Sequence, residues 1–197
     1  MMIGLHGPLG SGKTWGIVKL AQDFQADGFT VWSDTPLNRE YFPNYVDLNT
    51  DPKFNFEYIQ RCAVEGTPFP YEDIYLGLDE WQYRADSRTS MSSDSRFFSY
   101  LYNQTRKRGM VVAYSSRMRS YVDLRARDSE DLIIRCFKKH RDTARQCYNH
   151  RCQQSHYFEW WVIDQDNNLS KKVRFRNPDP IFPMYQTKNL ETGLIAK

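Results

Sequence analysis

A fold of alternating strands and helices around a mostly parallel central sheet is what this chain predicts, and three observations predict it. Short apolar runs suited to buried strands recur at Met2-Ile3-Gly4-Leu5, Thr30-Val31-Trp32-Ser33, Ile74-Tyr75-Leu76-Gly77-Leu78 and 110–114. Segments with helical spacing lie between them, with apolar positions at Ile17, Leu20, Ala21 and Phe24 and again at Phe54, Tyr58, Ile59 and Cys62. Between the first strand and the first helix stands Gly7-Pro8-Leu9-Gly10-Ser11-Gly12-Lys13-Thr14, a match to G-x-x-x-x-G-K-[ST]. Strand–helix alternation places helices on both faces of a parallel sheet. The glycine-rich loop specifies which α/β fold: a P-loop NTPase three-layer sandwich. Two later strands, 132–137 and 157–163, add a C-terminal β-hairpin.

The elements follow in order. After the second strand, Asp34-Thr35-Pro36-Leu37 makes a turn, and the aromatic, proline-bearing stretch 41–52 reads as loop with a short strand at 45–48. The helix over 54–65 is stopped by Gly66-Thr67-Pro68. The third apolar run ends in Asp79-Glu80. Residues 86–95, rich in Ser, Asp and Arg, read as loop, and a helix over 96–107 is stopped by Gly109. The strands of the hairpin flank a Cys/His-rich insertion, 136–156. Asn177-Pro178-Asp179-Pro180 opens an irregular tail, 177–197.

At 197 residues the chain predicts a single domain spanning 1–197. No 18-residue apolar run occurs, so no transmembrane helix is expected. The phosphate-loop motif starting at Gly7 leaves no signal peptide to expect. Four cysteines in such a chain argue against a disulfide framework. Net charge is +3, unevenly spread: residues 101–151 hold 13 Lys/Arg against 5 Asp/Glu, whereas residues 1–100 hold 8 against 14. A basic block of this size points to a polyanion partner, nucleic acid above all.

The loop carries its own chemistry. Glycines let backbone N–H groups turn inward on phosphate oxygens, and the following helix directs its positive end at them. Gly7, Pro8, Leu9, Gly10, Ser11, Gly12, Lys13, Thr14 and Trp15 are therefore the predicted nucleotide contacts. Lys13 reaches the β- and γ-phosphates of ATP, and the Thr14 hydroxyl is a ligand for Mg²⁺. Asp79, at a strand tip, is the second Mg²⁺ ligand, and Glu80 is placed to polarise an attacking water. An arginine supplied by a neighbouring subunit typically contributes about 10³–10⁵ in rate to such a reaction. Arg88, Arg106, Arg108, Arg117 and Arg125 are candidates.

The stretch 78–127 adds a resemblance. Leu78-Asp79-Glu80, Asp86-Ser87-Arg88, the helix ending Arg106-Lys107-Arg108-Gly109, and Val122-Asp123-x-Arg125-x-Arg127 resemble the FtsK–HerA superfamily, particularly its viral genome-packaging and Zot-like phage-assembly branch. The late Met184-Tyr185-Gln186-Thr187 is similar to that family's tail. The resemblance implies an ATPase that assembles as a homo-oligomeric ring and moves DNA without reading its sequence. It also implies capsid or membrane-vertex partners, and a place in the host-cell cytoplasm or in the virion. It singles out Arg88 first and Arg108 second as the arginine acting in trans. It implies that the extra N-terminal barrel of cellular members is missing. One departure stands out. The family puts Gln or Asn at the tip of the strand after the Asp-Glu strand, whereas here Tyr114-Ser115-Ser116-Arg117 stands there, leaving Ser116 or Arg117 as substitutes.

Other readings compete. Gly7-Pro8 with Ser11-Gly12-Lys13, and Asp79-Glu80-Trp81-Gln82, are also similar to thymidine-kinase-type enzymes. Those place zinc ligands largely as paired C-x-x-C motifs, absent here. A nucleotide-dependent scaffold is a third reading, opposed by the intact Lys13, Asp79 and Glu80. Finally, Cys136, His140, Cys147, His150, Cys152 and His156 are six of the chain's eight Cys and His residues, more than the four ligands a structural Zn²⁺ needs. Cys147, His150 and Cys152 fall in the hairpin's connecting loop, with His156 or His140 as the fourth ligand. The expected zinc ligands are Cys147, His150, Cys152 and His156. Cys136 and His140 in one strand lie about 13 Å apart, too far for one metal.

Overall fold

The structure is a computed structural model that describes residues 1–65, 71–81, 93–149, 152 and 154–186. Its strands are β1 (Met2–His6), β2 (Thr30–Ser33), β3 (Val46–Asp47), β4 (Ile74–Leu78), β5 (Val111–Ser116), β6 (Leu132–His140), β7 (His156–Asp164) and β8 (Leu169–Phe175). Its α-helices are α1 (Lys13–Ala26), α2 (Phe56–Glu65), α3 (Ser93–Lys107) and α4 (Leu124–Asp128). The strands form one sheet in the order β3-β2-β4-β5-β1-β6-β7-β8, parallel from β3 to β6 and antiparallel thereafter.

Alternation along each central strand builds two cores, because successive side chains leave a strand on opposite faces. Met2, Ile74, Leu76, Leu78, Val112 and Tyr114 point to one face and meet Ile59 of α2, Leu101 of α3 and Ala126 of α4. Ile3, Leu5, Tyr75, Val111 and Ala113 point to the other and meet Trp15, Ile17, Val18 and Ala21 of α1. Helices thus cover both faces, the predicted three-layer sandwich. All five residues of β1 and of β4 are buried, which is why those segments read as continuous apolar runs rather than alternating ones.

The C-terminal part corrects the sequence reading. The predicted hairpin exists, but its strands are longer: β6 and β7 pair over nine residues, ending on His140 opposite His156. The connecting segment is therefore 141–155, and Cys136 and His140 belong to the sheet rather than to an insertion. A further strand, β8, pairs with β7 and makes the edge. Its sequence, Leu-Ser-Lys-Lys-Val-Arg-Phe, is largely exposed and polar and gives little apolar signal. Nor is the tail loose up to Gln186. A 3₁₀ helix, Asp179–Met184, buries Ile181 and Met184 against the α1 side, and Leu37 bridges Tyr185. Residues 187–197 lie outside the described residues. Of the segment read as loop over 86–95, residues 93–95 are the start of α3 and the rest lies outside the described residues.

Candidate nucleotide-binding site

Strand order creates the site. β5 intervenes between β1, which feeds the phosphate loop, and β4, which ends in Asp79-Glu80. All three strands run parallel, so their C-terminal ends open on the same edge, where ligands bind in open α/β sheets. Leu78 pairs with Tyr114, and the next residue of each strand, Asp79 and Ser115, therefore meet.

The loop keeps a tight path. Gly7 N–H donates to Ser116 O at 3.3 Å, and Ser11 N–H to Pro8 O at 3.2 Å. Gly12 has φ +87°, and a Cβ there would lie 2.8 Å from the Phe158 ring, so the position is closed to other residues twice over. Lys13 Nζ donates to Gly7 O at 2.9 Å and Pro8 O at 3.1 Å, folding its ammonium across the mouth of its own loop. Burial lowers its pKa, Asp79 opposes that shift, and Arg117 adds to it. Trp15 turns the other way. Its indole is buried against Phe158, Trp160 and Phe175 and donates to Pro178 O at 2.9 Å, so its side chain anchors α1 and the tail.

The carboxylate end is a connected network. Thr14 Oγ1 donates to Asp79 Oδ2 at 2.7 Å, and Ser115 Oγ donates to Asp79 Oδ1 at 2.5 Å. Glu80 N–H donates to Ser115 Oγ at 2.8 Å, and Asp79 N–H to Asp34 Oδ1 at 2.8 Å. Glu80 has φ +50°, a left-handed conformation that costs a residue of its type about 1–3 kcal/mol and clusters at functional sites. That conformation presents the Glu80 side chain as exposed while Asp79 stays half-buried. The adjacent oxygens of Thr14 and Asp79 fit a hard cation such as Mg²⁺.

A cavity of about 620 Å³ runs from the loop to the β6–β7 hairpin, bordered by Thr14, Asp79, Lys138, His156, Phe182 and Tyr185. Tyr185 has its hydroxyl pushed up to about 12 by burial, with Asp79 adding to the shift, and is a neutral donor at the cavity wall. Ser115, Asp34 and Tyr185 join the site only through the structure. Tyr185 has a sequence signal in its tail motif; the other two have none that marks them as site residues.

The candidate arginines are dispersed. Arg88 lies outside the described residues. Arg108 precedes β5 and pairs with Glu72 at 3.2 Å, at the opposite end of the sheet, beyond the full length of β5, about 17 Å. Arg125 is exposed on α4, and Arg106 lies over Tyr102 near Arg108. Arg117 is exposed and acts on Lys13 electrostatically, so it stands at the phosphate-loop end of the sheet. Of the two sensor substitutes, Ser116 spends its hydroxyl on Met118 O at 2.8 Å.

The Cys/His residues separate into two groups. Cys136 is fully buried in the core, its thiol pushed up to about 12 by burial. His140, Cys147, Cys152 and His156 converge, with one donor atom from each lying within 4.8 Å of the others. His150, part of the expected set, lies outside the described residues. The pairing of His140 with His156 brings His140 into the cluster, and loop spacing alone does not report it.

A phosphate loop with its Asp-Glu strand one strand removed makes this a P-loop NTPase fold. No family model matches the chain, and no curated protein matches it in sequence. Among solved structures it is similar to the genome packaging NTPase B204 from Sulfolobus turreted icosahedral virus 2, solved in complex with ATP-gammaS. The TM-score is 0.57 at 16% identity, over 87% of this chain and 95% of that one. It is similar to B204, the DNA-packaging ATPase from Sulfolobus turreted icosahedral virus, with a TM-score of 0.54 at 17% identity, over 87% and 95%. It is similar to the N-terminal domain of zonular occludens toxin from Neisseria meningitidis, TM-score 0.52 at 13% identity, over 94% and 98%. At these identities the likeness is one of fold.

Proposed function

We propose that the chain hydrolyses ATP and uses the energy to move DNA, in the manner of a viral genome-packaging motor. The observation that carries this reading is the Ser115-centred network: one hydroxyl binds the Asp79 carboxylate and the Glu80 N–H, holding both carboxylate residues beside the phosphate loop.

The chain's own residues divide the work. Loop N–H groups and the N-terminus of α1 hold the phosphates. Lys13 gives up its contacts to Gly7 O and Pro8 O and turns its ammonium to the β- and γ-phosphates. Thr14 and Asp79 would hold Mg²⁺, which neutralises phosphate charge when bound. Glu80 orients a water for attack on the γ-phosphorus and accepts its proton, while the bond to the bridging oxygen breaks and ADP leaves.

Charge supports the DNA assignment. Arg117, Arg141 and Arg145 are exposed at the site end of the sheet, and Arg106 and Lys107 at the other. Such residues grip phosphates without reading bases. A ring of identical subunits, with capsid or membrane-vertex proteins as docking partners, completes the reading. The similarity of fold to both the packaging NTPase and the zonular occludens toxin domain is compatible with packaging or with phage export.

One assay tests it. ATP turnover stimulated by DNA of arbitrary sequence is expected, and phosphate transfer to thymidine would establish the kinase reading instead. Nucleotide binding with no turnover in either assay would leave a scaffold.

A further inference from the structure

The connection between β6 and β7 runs 15 residues, from 141 to 155, with almost nothing apolar to anchor it. Arg141, Asp142, Thr143, Ala144, Arg145, Tyr148 and Asn149 are exposed, and Cys147 is buried. Polar connections of this length in compact domains need a reason to be ordered. Yet the segment's described residues follow a defined path. It turns at 141–144, with Ala144 N–H on His140 O at 3.0 Å, and doubles back so that Cys147 N–H donates to Lys138 O at 2.8 Å. Farther on, Cys152 N–H donates to Asn149 O at 3.3 Å. Cys147 and Cys152 stand at the end of the ladder, where His140 lies directly opposite His156.

The result is two thiols and two imidazoles whose donor atoms lie within 4.8 Å of one another. Tetrahedral zinc at its usual Zn–S and Zn–N lengths separates such ligands by about 3.3–3.8 Å, so a small contraction closes the set. The present contacts leave the donors available. Among the described residues the thiols reach oxygen at 3.4 Å (Asn149 O) and 3.9 Å (Gln154 Oε1). His140 Nδ1 and His156 Nε2 are buried with no hydrogen-bond partner among the described residues. The imidazole rings sit 4.7 Å apart.

We infer that His140, Cys147, Cys152 and His156 form a structural zinc site that staples the β6–β7 connection. Four protein ligands close the coordination sphere, which makes the metal structural rather than catalytic. Two thiolates balance the charge of Zn²⁺. The site also has a placement: His156, Ser155 and Gln154 border the 620 Å³ cavity that contains Lys13, Thr14 and Asp79. The metal therefore fixes one wall of that cavity, whatever reaction occurs in it.

The test is metal content, which does not depend on any activity of the chain. Protein purified without chelator should contain one zinc per chain, and cobalt in its place should give the visible absorption of tetrahedral thiolate coordination. His140→Ala and Cys152→Ser should each lose the metal, and Cys62→Ser should keep it. A fold-independent measure uses the unmodified chain. Stripping zinc with a chelator should speed tryptic cleavage after Arg141 and Arg145 by about tenfold or more, and added zinc should restore protection. Protein that takes up neither zinc nor cobalt, a Cys147–Cys152 disulfide in place of free thiols, zinc retained by a Cys147→Ser/Cys152→Ser double variant, or cleavage indifferent to the chelator would each overturn the site.

Discussion

Ser115 Oγ donates to Asp79 Oδ1 at 2.5 Å and, through its other side, accepts the N–H of the following Glu80 at 2.8 Å. A single hydroxyl on β5 thereby fixes the direction of both carboxylate residues at the end of β4. Ser115→Ala should leave ATP binding within a few-fold of the parent but lower turnover about tenfold or more, since Glu80 loses the bond that holds its left-handed backbone. The variant also loses the bond to the part-buried Glu80 N–H, which costs about 1 kcal/mol and lowers the melting temperature. Steady-state hydrolysis beside nucleotide titration checks it; unchanged turnover would remove Ser115 from the mechanism.

Lys13→Ala should abolish tight ATP binding, because the charge facing the phosphates is gone. Glu80→Gln should bind ATP and fail to turn it over, because the amide cannot take the water's proton. Equilibrium binding and single-turnover measurements separate the two, and normal turnover in Glu80→Gln would exclude Glu80 as the base.

Glu130 is buried under the root of the phosphate loop, bonded by His6 Nε2 at 2.6 Å, Tyr114 Oη at 2.5 Å and Arg119 Nε at 2.6 Å. A Cβ on Gly4 would lie 2.1 Å from its Oε1, so the carboxylate fills space that only a glycine strand leaves. Burial would raise its pKa, but the bonds from His6, Tyr114 and Arg119 outweigh it and hold the carboxyl below the ordinary 4.5. A depressed carboxyl stabilises the fold above its unfolded-state pKa, and that stability disappears as pH falls through the lower folded-state value. The parent should therefore lose melting temperature below pH 4.5, and Glu130→Gln, already weaker by about 2 kcal/mol at neutral pH, should lose less over the same interval. Parallel acid limbs in the two proteins would show that Glu130 is not the group responsible.

An isolated subunit has Arg117 at its phosphate end, while Arg108 stands at the far end of the sheet. If a ring supplies the second cation, hydrolysis should rise more than linearly with protein concentration. Mixing Arg88→Ala or Arg108→Ala with Lys13→Ala should restore part of the activity, whereas Arg117→Ala, acting in its own subunit, should not be rescued. Activity strictly proportional to concentration, with no rescue from either arginine variant, would exclude a trans arginine.

DNA binding should be weakly dependent on sequence and strongly dependent on salt, log K falling with log salt at about −0.9 per phosphate contact on duplex DNA. Titrations between roughly 50 and 200 mM salt check it, and a flat response would rule out an electrostatic grip.

What can be read along the chain depends on range. The phosphate loop and the Asp79-Glu80 strand end are readable because each is contiguous and its residue types are demanded by local backbone chemistry. Ser115 is not, because its role comes from the Leu78–Tyr114 register, a pairing that no local pattern reports. The same holds for the Cys/His cluster: strand pairing sets His140 opposite His156, which loop spacing does not report. β8 gives no signal because an exposed edge strand need not be apolar, and the order of the tail is hidden because its anchor is a hydrogen bond from Trp15 to Pro178 across the whole chain.

Periodicity, composition and contiguous motifs are enough to specify the class of fold, the phosphate-binding loop, the carboxylate pair and the basic block. Which hydroxyl holds the carboxylates, that His140 stands beside the cysteines and that Arg117 and Arg108 lie at opposite ends of the sheet depend instead on the folded chain. Those are relations between strands and loops far apart in sequence, set by register and packing, and a one-dimensional pattern does not contain them.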